Sequence, residues 1–144
     1  MHVVAAAIVA LVGASAQVGA VDEVTGFSMP SKNVGCQYAR FAAQPNAPGF
    51  PATLRCDIRT GLRPRPAKPR GCDLDWGDSL EMRKRSRVTV TFHGDTALGD
   101  RHILRYGKTW RHDGFTCVSR KTGLTCRNLA GHGFFLSRQR SRIF

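Results

Sequence analysis

Short segments of alternating hydrophobic and polar residues, separated by turn residues, run through most of the chain after residue 20. Residues 87–92, which read RVTVTF, alternate most clearly and are rich in the β-branched side chains that favour strands. No stretch sustains the 3, 4, 7 spacing of hydrophobic residues that an amphipathic helix needs. The pattern predicts strands at residues 24–29, 34–39, 53–59, 87–92, 103–106, 108–111, 115–119, 124–128 and 133–137.

Turn residues predict how these strands connect. Residues 30–33, Pro-Ser-Lys-Asn, separate the first two predicted strands and indicate a hairpin, because Asn33 tolerates a left-handed backbone. Residues 61–71 contain three prolines and four cations and predict an extended surface loop, since proline lacks a donor and like charges repel. We therefore expect residues 21–144 to form one all-β domain, a small barrel or sandwich of seven to nine short antiparallel strands with disulfides.

The first 20 residues have the pattern of a secretory signal peptide. Residues 3–12 are all apolar, and small residues follow them at the positions that signal peptidase requires. Cleavage is predicted after Ala16 or Ala20. Because ten apolar residues are too few to cross a hydrocarbon layer of about 30 Å, we expect no stable membrane span after signal removal. The expected location is outside the cell or in the cell envelope.

The cysteines are informative because an exported chain meets an oxidising compartment. Cys117 and Cys126 flank eight residues, and a two-residue turn at Lys121-Thr122 would place the two cysteines opposite each other. In that register they form a non-hydrogen-bonded pair, where side chains lie closest and a disulfide fits. The spacing therefore predicts a Cys117–Cys126 disulfide.

The other three cysteines allow one further disulfide. Cys36 with Cys56 is the favoured second pair, and this choice leaves Cys72 as a free thiol. The chain has no CxxC pair, and its histidines lack ligand spacing to the thiols. We expect neither a metal nor another cofactor.

The chain is strongly basic, with 22 Lys and Arg against 10 Asp and Glu, a net charge of +12 and a pI of about 10.6. Such a field attracts anionic wall polymers and anionic lipids, so an anionic component of the envelope is the expected partner. No specific nucleic acid is expected, since export removes genomic DNA and no aromatic residues alternate with the basic clusters. Three clusters supply the candidate polyanion-binding residues Arg63, Arg65, Arg70, Arg83, Lys84, Arg85, Arg138, Arg140 and Arg142.

One constellation is a candidate for catalysis. His93 and Asp95 share a predicted turn and would serve acid–base chemistry if His132 approached them. An aspartate in such a turn also caps its own backbone, which explains the same residues without a reaction. No P-loop, nucleophile elbow or HExxH pair is present. The sequence thus favours a binding module over an enzyme; the alternatives are a small secreted hydrolase or nuclease and an inhibitor of an extracellular enzyme.

Several segments, taken in order, resemble a family of small secreted actinobacterial proteins with a disulfide-containing domain of unknown function. They are FSMPSKNVGC at 27–36, RCDI at 55–58, CDLDWG at 72–77, GDT at 94–96, YG at 106–107 and the stretch 117–138, which ends in GHGFFLSR. The resemblance implies secretion and a disulfide fold, and it implies no reaction. Similar members carry a sixth cysteine where this chain has Phe92 and His93, which implies that Cys72 has lost its partner.

Overall fold

The computed structural model describes residues 22–99 and 101–144, which form two five-stranded antiparallel sheets packed face to face. The signal-peptide prediction for residues 1–20 lies outside the described residues. Each sheet is a meander in chain order, and the predicted all-β fold is confirmed. Of the two predicted forms, barrel or sandwich, the structure has the sandwich, because the sheets are not closed into a barrel. The first sheet contains β1 (Glu23–Ser28), β2 (Val34–Phe41), β3 (Phe50–Ile58), β4 (Ser79–Arg83) and β5 (Thr89–Val90). The second contains β6 (Thr109–His112), β7 (Phe115–Arg120), β8 (Gly123–Arg127), β9 (Gly133–Leu136) and β10 (Ser141–Ile143).

The ten strands of the described residues exceed the seven to nine expected, and the differences have local causes. The clearest predicted strand, residues 87–92, is shortened to Thr89–Val90. The Thr91 N–H still donates to the Ser79 carbonyl at the start of β4, and His93 then pairs with Asp75 in the loop before β4. Residues 103–106 are not a strand, since only Ile103 forms a bridge, to Ser28. The sequence interpretation missed β4 and β10.

The core lies between the sheets and is built from the inward side chains of both. The largest fully buried side chains are at most 1% exposed and include Phe27, Tyr38, Leu54, Phe115 and Phe134. Removing so much apolar surface from water is the main driving force for folding. The two sheets therefore share one hydrophobic core.

Each sheet has one disulfide, between its second and third strands. Cys36–Cys56 joins β2 to β3 and Cys117–Cys126 joins β7 to β8, both between directly opposed residues with Cα atoms 4.1 Å apart. These are the pairs that the sequence favoured. The sulfur atoms of Cys36, Cys56 and Cys126 lie within 4.8 Å of one another, so the two disulfides meet in the core. Because these sulfur atoms are bonded in disulfides, they offer no thiolate to a metal. Cys72 is the free cysteine and is half-buried in the loop between β3 and β4.

Candidate polyanion-binding face

The strands of the second sheet direct a set of basic and aromatic side chains outward. On β8, Leu124 and Cys126 are buried, so Thr125 and Arg127 point to the outer face. Thr125 pairs with Phe135 of β9, and Phe135 pairs with Arg142 of β10. Opposed residues share a face, so these side chains form a row across the sheet.

The next row of the same face joins Arg127 to the C-terminus. Arg127 pairs with Gly133, and Gly133 exchanges two backbone hydrogen bonds of 2.9 Å with Phe144. On the other side Arg127 pairs with Thr116, which pairs with Arg111 of β6. Arg111, Arg127 and Phe144, which come from three parts of the chain, thus lie on one surface of the sheet.

Aromatic rings support the guanidinium groups of this face. Arg127 lies over the Phe144 ring at 4.4 Å from its centroid, and Arg142 lies over the same ring at 5.3 Å. Arg140 lies over the Phe135 ring at 5.2 Å. Stacking on a ring attracts a guanidinium and leaves its N–H groups directed outward for a carboxylate or phosphate. We call these five residues the arginine face.

Two glycines make room for the rings. A Cβ on Gly133 would lie 2.9 Å from Cε2 of Phe144, and a Cβ on Gly123 would lie 2.6 Å from Cζ of Phe135. Gly123 also has a φ of 147°, which L side chains rarely adopt. The rings of Phe135 and Phe144 therefore lie directly against the backbone of Gly123 and Gly133, where any larger residue would displace them.

Acidic groups are scarce on this half of the chain. Residues 101–144 contain ten Lys and Arg and one acid, Asp113. That carboxylate, in the β6–β7 turn, accepts hydrogen bonds from the Tyr38 hydroxyl and the Lys84 ammonium. Burial disfavours its charge, but these donors prevail and lower the pKa of Asp113, whereas burial and the Asp113 carboxylate raise the pKa of Tyr38. Within the described residues, no carboxylate pairs with Arg127, Arg140 or Arg142.

The loop cluster of predicted basic residues contacts the edge of this sheet. The backbone N–H of Arg63 donates to Ser141 Oγ at 3.1 Å, and the N–H of Ser141 donates to the Arg63 carbonyl at 2.6 Å. Arg65 instead holds the loop together, because its guanidinium donates to the Trp76 carbonyl at 2.9 Å. Arg70 is exposed in the same loop.

The remaining predicted cluster lies in the β4–β5 turn, on the first sheet. The Asn128 side-chain amide donates to the Arg83 carbonyl at 2.8 Å, and the Leu129 N–H donates to the Lys84 carbonyl at 2.9 Å. Arg85 is exposed beside them. These contacts dock the turn on the β8–β9 connection, and the Lys84 side chain is already paired with Asp113. Of the nine basic candidates, the structure thus brings Arg140 and Arg142 onto the arginine face, whereas Arg138 lines a separate groove.

The catalytic candidates are divided between the two sheets. His93 is 6% exposed, and its ring nitrogens lie 2.5 Å from the Asp95 carbonyl oxygen and 2.8 Å from Asp78 Oδ1. Burial disfavours the imidazolium, but both ring nitrogens face acceptors, so the pKa of His93 is raised. The Asp95 carboxylate accepts from Arg55 Nη1 at 2.8 Å, which lowers its pKa. His132 lies in the β8–β9 connection, and no hydrogen bond or ion pair joins it to His93 or Asp95.

Sequence reasoning missed most of the arginine face. The sequence predicted no aromatic residues among the basic clusters, yet Phe135 and Phe144 stack with arginines. Arg127 reaches the Phe144 ring from another strand, whereas Arg142 precedes Phe144 by two residues in the same segment. The available signal was the C-terminal stretch GFFLSRQRSRIF, in which Phe135 and Phe144 lie within a few residues of Arg138, Arg140 and Arg142. Arg127 lacked any such signal, since only the register of β8 and β9 brings it to Phe144.

The fold and this surface define an all-β sandwich with two core disulfides and a ring-supported cationic face. The chain matches a family of unknown function (DUF6636) over residues 5–144, and it belongs to that family. No curated protein and no solved structure matches it. The described ranges contain no helix long and apolar enough to cross a membrane.

Proposed function

We propose that the protein is an exported binding module that holds an anionic polymer of the cell envelope on the arginine face. The observation that supports this most directly is the stacking of Arg127 and Arg142 on one ring, with no carboxylate paired to either among the described residues. Guanidinium groups bind carboxylates and phosphates in bidentate fashion. Stacking reduces the conformational entropy that these long side chains lose on binding.

The number of cations suits a polymer better than a single small ion. Arg127 and Arg142 stand on β8 and β10, which are separated by β9, and their guanidinium groups converge on the Phe144 ring. Arg140 and Arg111 extend the positive surface on either side. A chain with an anion on each repeat unit would contact several of these groups together, and each contact would release counterions.

Salt-dependent binding to a defined polymer tests this proposal. The disulfide-bonded protein should bind immobilised poly(glycerol phosphate), with affinity that falls as sodium chloride rises, and should not bind neutral dextran. The double variant R127Q/R142Q should lower the affinity at least tenfold and reduce the salt slope by about two. Vesicles containing phosphatidylglycerol, assayed in parallel, test whether a lipid surface competes as the ligand.

The control removes the same charge elsewhere. The double variant R83Q/R85Q changes the β4–β5 turn, whose arginines take part in no ring stacking among the described residues. It should retain most of the affinity. Equal losses in the two double variants would show that binding follows net charge alone, and the arginine face would then have no special role.

Export is tested separately from binding. The protein recovered from the medium or the wall fraction of an expressing bacterium should begin at Gln17 or Val21, as the two predicted cleavage positions require. Edman degradation or mass spectrometry of the N-terminal peptide distinguishes them. Recovery of the uncleaved chain from the cytoplasm alone would contradict an envelope ligand.

A further inference from the structure

We propose that a second site, a groove between three turns at one end of the sandwich, binds a single sugar unit that carries a carboxylate or phosphate. The groove lies between the β1–β2, β7–β8 and β9–β10 turns and has a volume of about 230 Å³. That is smaller than the pockets that hold drug-sized ligands, so it suits one monosaccharide. This inference rests on the proposed function, because the groove adjoins the arginine face.

Tyr106 supplies accessible apolar surface in the groove, since this residue is 37% exposed. Met29, Val34 and Leu136 lie behind the groove and are 4%, 2% and 0% exposed, so they offer a ligand little surface. An exposed aromatic ring matches the apolar face of a pyranose, which stacks on such a ring while its hydroxyl groups remain at the edge.

The rim of the groove is cationic and polar. Lys121 comes from the β7–β8 turn and Arg138 from the β9–β10 turn, and no Asp or Glu lines the groove. Neither cation forms an ion pair within the described part of the chain. Thr122 and Gln139 supply neutral hydrogen-bonding groups next to them. Two cations facing one small cavity favour a ligand with a single oxyanion group.

The turns that form the groove are held in place by their own hydrogen bonds. Ser137 Oγ accepts from the Arg140 N–H and donates to the Arg140 carbonyl, both at 3.1 Å. The Asn33 amide donates to Thr60 Oγ1 at 3.3 Å, and the Gly107 N–H beside Tyr106 donates to the Ser119 carbonyl at 2.7 Å. A groove formed before binding costs less ordering entropy when the ligand enters.

Two residues connect the groove to the arginine face. Gly123 lines the groove and lies under the Phe135 ring, over which Arg140 is stacked. Ser137 lines the groove and binds the backbone of Arg140. A polymer lying on the arginine face can therefore place one acidic unit, such as its end, in the groove.

The test is a titration of the ¹⁵N-labelled, disulfide-bonded protein by heteronuclear NMR. Glucuronate and glucose 6-phosphate should shift the amide signals of residues 121–123 and 137–139, and glucose should bind at least tenfold more weakly. The stronger of the two acids identifies the anion. The double variant K121Q/R138Q should weaken the binding of that acid at least tenfold. R127Q/R142Q should leave it unchanged.

The same variants distinguish this inference from the proposed function. If the acids shift no groove signals while poly(glycerol phosphate) is still bound, the groove proposal is wrong and the arginine face stands. If the acids bind in the groove while R127Q/R142Q retains polymer affinity, the arginine face is wrong. Inorganic phosphate that binds as tightly as glucose 6-phosphate, or glucose that binds as tightly as both acids, would overturn the assignment of an acidic sugar.

Discussion

The two sheets have the same architecture and opposite outer surfaces. Both are five-stranded meanders with a disulfide between the second and third strands. The residue after the third-strand cysteine points outward in both, and it is Asp57 in the first sheet and Arg127 in the second. Asp57 is only 1% exposed, whereas Arg127 is exposed. The charged side chain at this equivalent position is thus buried in the first sheet and exposed to solvent in the second.

The segment between β5 and β6 explains the difference. The Ala97 N–H donates to Asp57 Oδ2 at 2.7 Å, Ser79 Oγ donates to Oδ1 at 2.6 Å, and Arg55 binds both carboxylate oxygens at 2.9 Å. Burial opposes the charge of Asp57, but these donors together lower its pKa. Gly35 lets the segment approach, since a Cβ there would lie 2.6 Å from the Ala97 carbonyl.

The balance of basic and acidic residues also differs between the part of the chain that forms the first sheet and the part that forms the second. Residues 22–99 contain twelve Lys and Arg against eight Asp and Glu, and Arg55 is already paired with Asp57 and Asp95. Residues 101–144 have ten against one. The covered sheet therefore uses its charges to attach a loop, and the open sheet presents its charges to solvent. One architecture thus buries charged side chains on one sheet and exposes them on the other.

The largest expected difference between the two sheets comes from removing the buried carboxylate of Asp57 and comparing it with the loss of Arg127. Asp57→Ala leaves Arg55, whose side chain is 18% exposed, with the Asp95 carboxylate as its ion-pair partner and should lower the free energy of unfolding by about 3 kcal/mol. Arg127→Ala on the second sheet should lower it by less than about 1 kcal/mol. Urea unfolding of the oxidised variants measures both. Similar losses would show that the covering segment does not distinguish the sheets.

The two disulfides should also contribute unequally to the free energy of unfolding, and the difference between them should be smaller. Closing a loop between residues 20 apart, as Cys36–Cys56 does, should stabilise by about 3.3 kcal/mol, and a separation of 9, as in Cys117–Cys126, by about 2.6 kcal/mol. Paired Cys→Ala variants, compared by thermal or urea unfolding, measure each contribution. A larger loss from the second pair would indicate that core packing, and not loop length, sets the difference.

The first sheet should also carry a pH dependence near neutrality. The folded pKa of His93 is raised, so its contribution to stability is present below the ordinary value of 6.5 and is lost as pH rises through the folded pKa. His93→Gln should remove this decline, and Asp78→Asn should reduce it, because Asp78 accepts from the imidazolium. Unfolding free energies at pH 5.5 to 8.5 provide the test. A His93→Gln protein with the full decline would assign the titration to another group.

A small effect on stability is expected from changing the Phe144 ring of the second sheet. Phe144→Leu removes the stacking of Arg127 and Arg142 and should lower stability by about 1 kcal/mol, with a larger relative loss of polymer binding. Phe92→Leu is the matched control, since Phe92 is 38% exposed and stacks on Trp76 at 4.4 Å, not on a cation. Polymer affinity that falls equally in both variants would argue against ring-supported arginines.

The sequence predicted the parts of the fold that depend on local pattern. A two-residue turn at Lys121-Thr122 brings Cys117 opposite Cys126, and the structure has that register. Strand β4, SLEMR, was missed, because Glu and Met favour helices even though Leu80 and Met82 alternate inward. Strand β10 was missed because it is three residues long and mostly exposed.

The candidate site depended on contacts that no local pattern contains. Arg140 and Arg142 could be named because they lie in a basic run, and Phe135 lies in a strand that the sequence predicted at residues 133–137. Their arrangement with Arg127 requires the pairing of three strands. The covering of Asp57 likewise depends on Ala97, which is 40 residues away in the chain. Side chains joined only by sheet register and loop docking are beyond what composition and spacing predict.

The two disulfides also determine how the protein would respond to mechanical load. The cross-links span separations of 20 and 9 residues, and each replaces that length of chain by a Cα–Cα distance of 4.1 Å. At about 3.6 Å per extended residue, roughly 100 Å of contour length is withheld from stretching. The hairpins β2–β3 and β7–β8 would remain tethered loops in a chain pulled to full extension.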